Sequence, residues 1–287
     1  MVLLDRLRAT FELVKLAHTV FALPFAFLSA FLAAHGMPPV SALLLILLAM
    51  VGARTGAMAT NRLADRRFDA DNPRTRNRAL VTGELGTGYV VAVAVLSFAL
   101  VVAAAWALNR LALLLSPVAV AVLVFYSFTK RFTWASHLFL GLALAGAPLG
   151  AWIAVTGEVA WTPAVLGLAV AFWVAGFDVL YACQDVDFDR RAGLHSIPQR
   201  FGVERALKLS TAFHMAMMVC LAAVVALAPV GPLFLSGVLV TAALLAYEHR
   251  LVKPGNLSKL DEAFFTVNGL VSVVLFVCGA LDLALYS

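Results

Sequence analysis

The chain has 287 residues, of which 63% are hydrophobic and only 13% charged, with a mean hydropathy of +0.95. Soluble domains carry roughly 25% charged residues, so this composition excludes a water-soluble globular protein and indicates a polytopic membrane protein. The formal charge of +5 does not point to nucleic acid, because the Lys and Arg gather in the N-terminal segment and in connections on one side of the bilayer, the positive-inside pattern.

Arg6, Arg8 and Lys15 precede an apolar run ending near Ala34. Its length and the many spans that follow make it a first transmembrane helix rather than a cleaved signal peptide. Segments near the ~20 residues that cross the hydrocarbon core predict nine spans: 14–34, 40–60, 88–108, 111–129, 137–156, 162–183, 206–228, 232–249 and 263–285. The short connections around Gly36–Pro39, Asn109–Arg110, Thr156–Glu158 and Ala228–Pro232 are almost free of positive charge and are expected outside. The connections 61–87, 130–136, 184–205 and 250–262 hold the basic residues and are expected in the cytoplasm with the N-terminus. The whole of 1–287 reads as one all-α membrane domain, in a bacterial inner or plasma membrane. Cys183, Cys220 and Cys278 are odd in number and widely spaced in apolar surroundings, so they read as packing residues rather than a disulfide framework.

Between Asn61 and Arg78, after the second span, three carboxylates and six arginines crowd into an otherwise apolar chain. Asn61, Asp65 and Asp69 recur every fourth residue, which on a helix stacks them on one face with neighbours about 6 Å apart. Such a ladder suits Mg²⁺, which favours a few carboxylates plus water and substrate phosphates over an all-protein cage. The arginines that follow, Arg74 and Arg78 among them, suit phosphate charge.

Tyr126, Lys130 and Arg131 close the fourth span, and the two cations are further phosphate candidates. After the sixth span the acidic pattern returns. Tyr181, Asp185 and Asp189 repeat the four-residue spacing, again where an apolar helix meets a basic loop. Four spans separate the two sites, so both end on the same side. Two ladders facing one another could hold two metal ions around one diphosphate, a good leaving group once its charge is neutralised. The cavity behind would be dry and apolar, with Phe125, Tyr126, Trp173, Phe177 and Tyr181 as candidate walls for an allylic cation.

Arg66, Arg67, Arg190, Arg191, Arg200 and Arg205 read as solvated topology determinants. Arg54 and Asp178 lie within spans, where a charge is costly and usually functional, so both are expected at the substrate. Lys15 and His18 fit either the cavity mouth or the interface. His137 and His214 read as packing or topology features, and Asn268 as an interhelical hydrogen-bonding residue. A transporter with a carboxylate site remains the alternative of another class, although such sites usually lie near the bilayer midplane.

Taken together these residues resemble the UbiA superfamily of intramembrane aromatic prenyltransferases. Asn61, Asp65 and Asp69 match its Asn-x₃-Asp-x₃-Asp pattern, followed by a run like Arg74-Thr75-Arg76-Asn77-Arg78. Asp178, Tyr181, Ala182, Gln184, Asp185, Asp189, Gly193 and Ser196 match its second motif, and Tyr126-x₃-Lys130-Arg131-Phe132-Thr133 its middle element. The resemblance implies nine helices around a central cavity. It implies two Mg²⁺ ions held with the diphosphate by Asn61, Asp65, Asp69, Asp185 and Asp189. Arg54, Arg74, Arg78, Tyr126, Lys130, Arg131, Asp178, Tyr181 and Ser196 are then expected at the substrates, a polyprenyl diphosphate and an aromatic acid acceptor. Members of the 4-hydroxybenzoate type are the nearest in pattern, and their activity belongs to quinone biosynthesis. Arg62, Ala79 and His195 depart from the ubiquinone-pathway pattern and resemble a branch that prenylates a dihydroxynaphthoate in an alternative menaquinone route.

Overall fold

The computed structural model describes residues 9–10, 12–13 and 19–286; Arg6, Arg8, Lys15 and His18 lie outside the described residues. The chain is all-α, and among the described residues the only β feature is an isolated bridge between Lys253 and Asn256. The main helices are α1 (Thr19–Ala34), α2 (Val40–Asp71), the single turn α3 (Ala79–Thr82), α4 (Thr87–Leu108), α5 (Arg110–Thr129), α6 (Ser136–Thr156) and α7 (Trp161–Ala182). A 3₁₀ turn over Cys183–Asp185 leads to α8 (Val186–Ala192), α9 (Ile197–Phe201), α10 (Val203–Leu227), α11 (Pro232–Leu251), a π-helical segment Glu262–Val267 and α12 (Asn268–Tyr286).

Eight helices are long and apolar enough to span a bilayer. The expected count of nine is therefore not reached among the described residues: the predicted span 14–34 is represented by α1, which has 16 residues. A difference concerns the second span. The predicted span 40–60 was expected to end before the acidic ladder, but α2 runs unbroken for 32 residues to Asp71. Nothing in Asn61–Asp71 breaks a helix. It stops at Asn72, whose extended backbone (φ −91°, ψ 118°) is the conformation a following proline, here Pro73, imposes. The stretch Trp161–Ala192 is likewise 32 residues long. At 1.5 Å per residue each measures about 48 Å, well beyond a hydrocarbon core of about 30 Å, so both project their charged ends past it.

The α7 helix is the hub. In its apolar window 67% of residues are buried, against 11–33% in the other spans. Leu166, Val170, Trp173, Val174 and Phe177 anchor the largest core cluster, which draws Phe21, Phe25 and Leu28 from α1, Met217 and Leu221 from α10, and Leu275 from α12. Small residues let neighbours approach α7 closely, the usual membrane solution where no hydrophobic drive separates helices from lipid. A Cβ at Gly141 of α6 would stand 2.2 Å from the Ala171 carbonyl oxygen. Cys183, Cys220 and Cys278 are free thiols.

Polar side chains tie the bundle where apolar packing gives no direction. Asn268 accepts from Trp173 Nε1 at 2.6 Å and donates to Glu248 Oε1 at 2.7 Å, joining α7, α11 and α12 as expected of an interhelical residue; it also donates to the Ala263 carbonyl within the π-helical segment. His214 is buried against His249 and the Trp173 carbonyl. Elsewhere, Asp282 of α12 accepts from the backbone N–H groups of Gly231, Leu233 and Phe234 at 2.5, 3.0 and 3.3 Å, and so caps α11.

Candidate active site

The acidic end of α2 does not turn its four-residue ladder inward as a unit. Arg62, Asp65 and Asp69 are buried, and Asn72 follows them; Asn61 is only half-buried. Four-residue steps drift around a helix of 3.6 residues per turn, whereas alternating steps of three and four stay on one face. The inward stripe is therefore 62, 65, 69 and 72, with Asn61 at its margin donating to Asp65 Oδ2 at 3.2 Å.

Each carboxylate on this stripe meets a cation from a different element. Lys130, the C-cap of α5, reaches Asp65 Oδ2 at 2.5 Å. Arg78 donates through Nη1 to both oxygens of Asp69 at 2.6 Å. The loop that carries Arg78 is itself folded locally: Asn72 Oδ1 accepts from the Arg74 backbone N–H, and Thr75 Oγ1 donates to the Asp69 carbonyl. That turn also aims Arg74 across the gap, where Nε and Nη2 grip Asp185 at 3.1 and 2.6 Å, joined by Asn72 Nδ2 at 3.4 Å. Burial works against the Arg74 charge, but the hydrogen bonds and charge of Asp185 outweigh it and hold the guanidinium above its ordinary pKa. The two acidic stretches, 120 positions apart between Asp65 and Asp185, thus share one site.

On the second stretch α8 ends at Gly193 in the left-handed conformation (φ 66°), a glycine C-cap. The chain then turns back, and the His195 backbone N–H donates to the Lys130 carbonyl at 2.7 Å. Ser196 follows as the N-cap of α9, accepting from Gln199 N while donating its hydroxyl to Asp189 Oδ2 at 2.8 Å.

His137, which the sequence reads as a packing or topology feature, lies beside the candidate site residues. It is buried at the start of α6, and its Nδ1 lies 2.7 Å from Asp178 Oδ2 while Nε2 accepts from the Ile197 backbone N–H at 3.2 Å. An acceptor Nε2 requires the proton on Nδ1 of the neutral ring, so His137 donates to Asp178. The signal available in the sequence was a histidine at the threshold of an apolar span, one turn before the Gly141 that lets α6 close on α7. Asn72 and Thr75 were also missed; their roles depend on the loop conformation.

These groups surround a cavity of about 270 Å³. Asn61, Asp65, Asp69, Arg74, Arg78, Tyr126, Lys130, Asp178, Tyr181, Asp185, Asp189 and Ser196 all line it, with Arg62 and His137 in addition. Two expected substrate residues do not. Arg131 is exposed, donates to the Ala64 carbonyl at 2.5 Å and packs over Phe68 and Phe128, because one step along the chain from Lys130 turns it away. Arg54, half-buried on α2, is not among the lining residues. Of the candidate aromatic walls, Tyr126 and Tyr181 face the cavity, while Trp173 and Phe177 are core residues and Phe125 is exposed. Tyr181 lies 4.2 Å, centroid to centroid, from Phe264, which continues the aromatic packing into the core.

The donor set fits a hard divalent cation: four aspartates and an asparagine offer only oxygen ligands around one cavity. Asp65 Oδ1 is buried without a hydrogen-bond partner, a free acceptor beside an engaged one. Among the described residues no three acidic, histidine or cysteine side chains form a ready-made cage.

Residues 22–270 match the UbiA prenyltransferase family. The chain is 31% identical to the 4-hydroxybenzoate octaprenyltransferase of Vibrio campbellii over 252 residues, 85% of this chain and 86% of that protein. It is 31% identical to the enzyme of the same name from Shewanella frigidimarina over 98% of this chain and 99% of that one. Among solved structures, the apo UbiA homologue of Aeropyrum pernix superposes with a TM-score of 0.84 at 33% identity, covering 92% of this chain and 98% of that one. The Archaeoglobus fulgidus homologue solved with DMAPP and Mg²⁺ shares the fold, with a TM-score of 0.72 at 22% identity, covering 96% and 98%.

Proposed function

The chain belongs to the UbiA prenyltransferase family, and from that premise we propose that it transfers a polyprenyl group from a polyprenyl diphosphate to the ring of a hydroxylated aromatic acid of the 4-hydroxybenzoate type, a step of quinone biosynthesis. The observation that carries this reading is the interleaving of charge at the cavity: Asp65 with Lys130, Asp69 with Arg78 and Asp185 with Arg74. A site built to hold one anion would need cations alone. Alternating carboxylates and cations suit a diphosphate that arrives with divalent metal, because each finds partners of opposite sign.

In this reading Asn61, Asp65, Asp69, Asp185 and Asp189 would hold two Mg²⁺ ions, which when bound neutralise the diphosphate and make it a better leaving group. Lys130, Arg74 and Arg78 turn from their carboxylates to phosphate oxygens and stabilise the charge that develops as the allylic C–O bond breaks with its electron pair going to the diphosphate. Tyr126 and Tyr181 present aromatic faces to the allylic cation. The acceptor ring attacks that carbon with a π-electron pair and then loses a ring proton, restoring aromaticity. Asp178, held by His137, is placed to orient the acceptor from the inner wall. The active site opens on the cytoplasmic side, where positive-inside charge puts the loops that carry Arg74, Arg78 and Lys130.

The test uses purified full-length protein, one polyprenyl diphosphate and a panel of 4-hydroxybenzoate, dihydroxynaphthoates and non-aromatic acceptors, with products identified by mass. Mg²⁺-dependent prenylation of 4-hydroxybenzoate, lost in Asp65→Asn and Asp185→Asn, is expected. Full activity in EDTA overturns the metal assignment, and transfer only to non-aromatic acceptors overturns the substrate class. Ion or metabolite flux into proteoliposomes without any prenylation would instead favour transport.

A further inference from the structure

One turn of the bundle is wider than an α-helix. Between Glu262 and Val267, just before α12, the chain is π-helical. Such turns are rare, occur mostly as single inserted turns and are frequent at functional sites. The segment is not among the residues that line the cavity, so any bearing on the site passes through what it touches.

Side chains hold the turn open. Asn268 gives its backbone N–H to the Phe265 carbonyl and its side-chain Nδ2 to the Ala263 carbonyl at 3.1 Å, closing the wide turn from the side. The amide cannot flip, because its oxygen must take the Trp173 indole N–H and its nitrogen must face Glu248. At the other end of the segment, Glu262 Oε1 accepts from the Tyr247 hydroxyl at 2.9 Å. The turn is thereby pinned to α7 and α11.

Its shape decides where two phenylalanines go. Successive side chains of an α-helix point about 100° apart, and a turn that holds more residues brings them closer together. Phe264 and Phe265 both lean on Tyr181, with ring centroids 4.2 and 6.3 Å away. Phe264 is itself held by Phe177 and Phe21 at 5.3 and 5.7 Å. Arg74 also stands over the Tyr181 ring, its Cζ 5.6 Å from the centroid, but it is committed to Asp185, and in the function proposed above it turns to phosphate.

We propose that the π-helical segment is a positioning device for Tyr181, and that Phe264 is the positioning residue that keeps the ring seated when Arg74 leaves it. The assignment rests on the function proposed above, in which Tyr181 faces the allylic cation. An aromatic face stabilises a cation only where it meets it. That charge develops as the allylic C–O bond breaks, so a loose ring weakens the transition state and leaves ground-state binding of both substrates alone.

The experiment is a double-mutant cycle of Phe264→Leu and Tyr181→Leu, as full chains in lipid nanodiscs, with Mg²⁺, one polyprenyl diphosphate and 4-hydroxybenzoate. Phe264→Leu lowers kcat by about 2- to 12-fold, the worth of one aromatic pair, with KM unchanged for both substrates. On the Tyr181→Leu background the same change has no further effect, because the ring it seats is gone. Phe264→Met, which keeps more of the volume but no ring, carries the test if Phe264→Leu fails to fold. An equal fall in kcat on both backgrounds overturns the proposal in favour of a scaffolding role. A raised KM for the prenyl diphosphate at unchanged kcat overturns it in favour of packing against the prenyl tail. In protein isotope-labelled at its tyrosine rings, the Tyr181 resonance, assigned by its loss in Tyr181→Leu, must shift in Phe264→Leu; an unmoved resonance overturns the proposal. That readout still decides whether Phe264 seats Tyr181 if wild type makes no prenylated ring product, in which case the proposed function fails.

Discussion

Lys130→Met isolates the relation between Asp65 and its cation. Asp65 is 2% exposed, and among the described residues Lys130 is the only cation that touches it. Breaking a fully buried pair by removing one partner costs about 3–5 kcal/mol. Here the Lys130 side chain is 33% exposed and Asn61 still donates to Asp65, so solvent screening reduces the expected loss to about 2 kcal/mol. At the roughly 2–4 °C per kcal/mol of a chain this size, the melting temperature in detergent falls by about 4–8 °C without metal. If Asp65 ligates Mg²⁺, the ion takes over the missing charge. At 100 times its Kd it returns about 2.7 kcal/mol, enough to offset the loss. In wild type the same Mg²⁺ must compete with Lys130 and raises Tm less. The assay is thermal unfolding of both proteins across a Mg²⁺ titration, without substrate. A variant as stable as wild type would refute the pairing; a destabilised variant indifferent to Mg²⁺ would refute the metal role of Asp65.

Two further substitutions separate site from scaffold. His137→Leu removes the donor to Asp178 and leaves the Ile197 N–H unpaired, so it should cost about 1–3 kcal/mol in thermal unfolding; an acceptor KM that rises along with it, measured in steady-state assays, marks Asp178 as part of the acceptor site. Asp282→Ala strips three backbone N–H groups of their acceptor at the start of α11 and should lower stability by about 2 kcal/mol, while both substrate KM values, measured on the folded fraction, stay at wild type.

The sequence makes the carboxylates legible because their spacing is a helical property: Asn61, Asp65, Asp69, Asp185 and Asp189 needed only the 3.6-residue turn to be grouped. Arg131 shows the limit of that logic. Adjacent to Lys130, it shares its chemistry, but a helix end rotates neighbours by about 100° and only packing decides which faces inward. The partners of His137 were hidden for a different reason. Its partners, Asp178 and Ile197, lie 41 and 60 positions away, and their meeting depends on how closely α6 approaches α7. The π-helical segment before Asn268 leaves no mark, since one extra residue in a turn preserves an apolar stretch. The length of α2 could have been read: Pro73, not the loss of hydrophobicity at Asn61, is the true stop.

The 32-residue reach of α2 and of Trp161–Ala192 acts as a built-in ruler. A membrane needs only about 20 helical residues, so roughly a dozen at the end of each stretch, unbroken in α2 and passing through the 3₁₀ turn Cys183–Asp185 in the other, exceed what the acyl chains need and set the level of the carboxylates by covalent length. An amphiphile with a charged head and a long greasy tail rests at that same level on its own. On the function proposed above, such a substrate would meet the carboxylates without its head being dragged toward the oily midplane or its tail lifted into water.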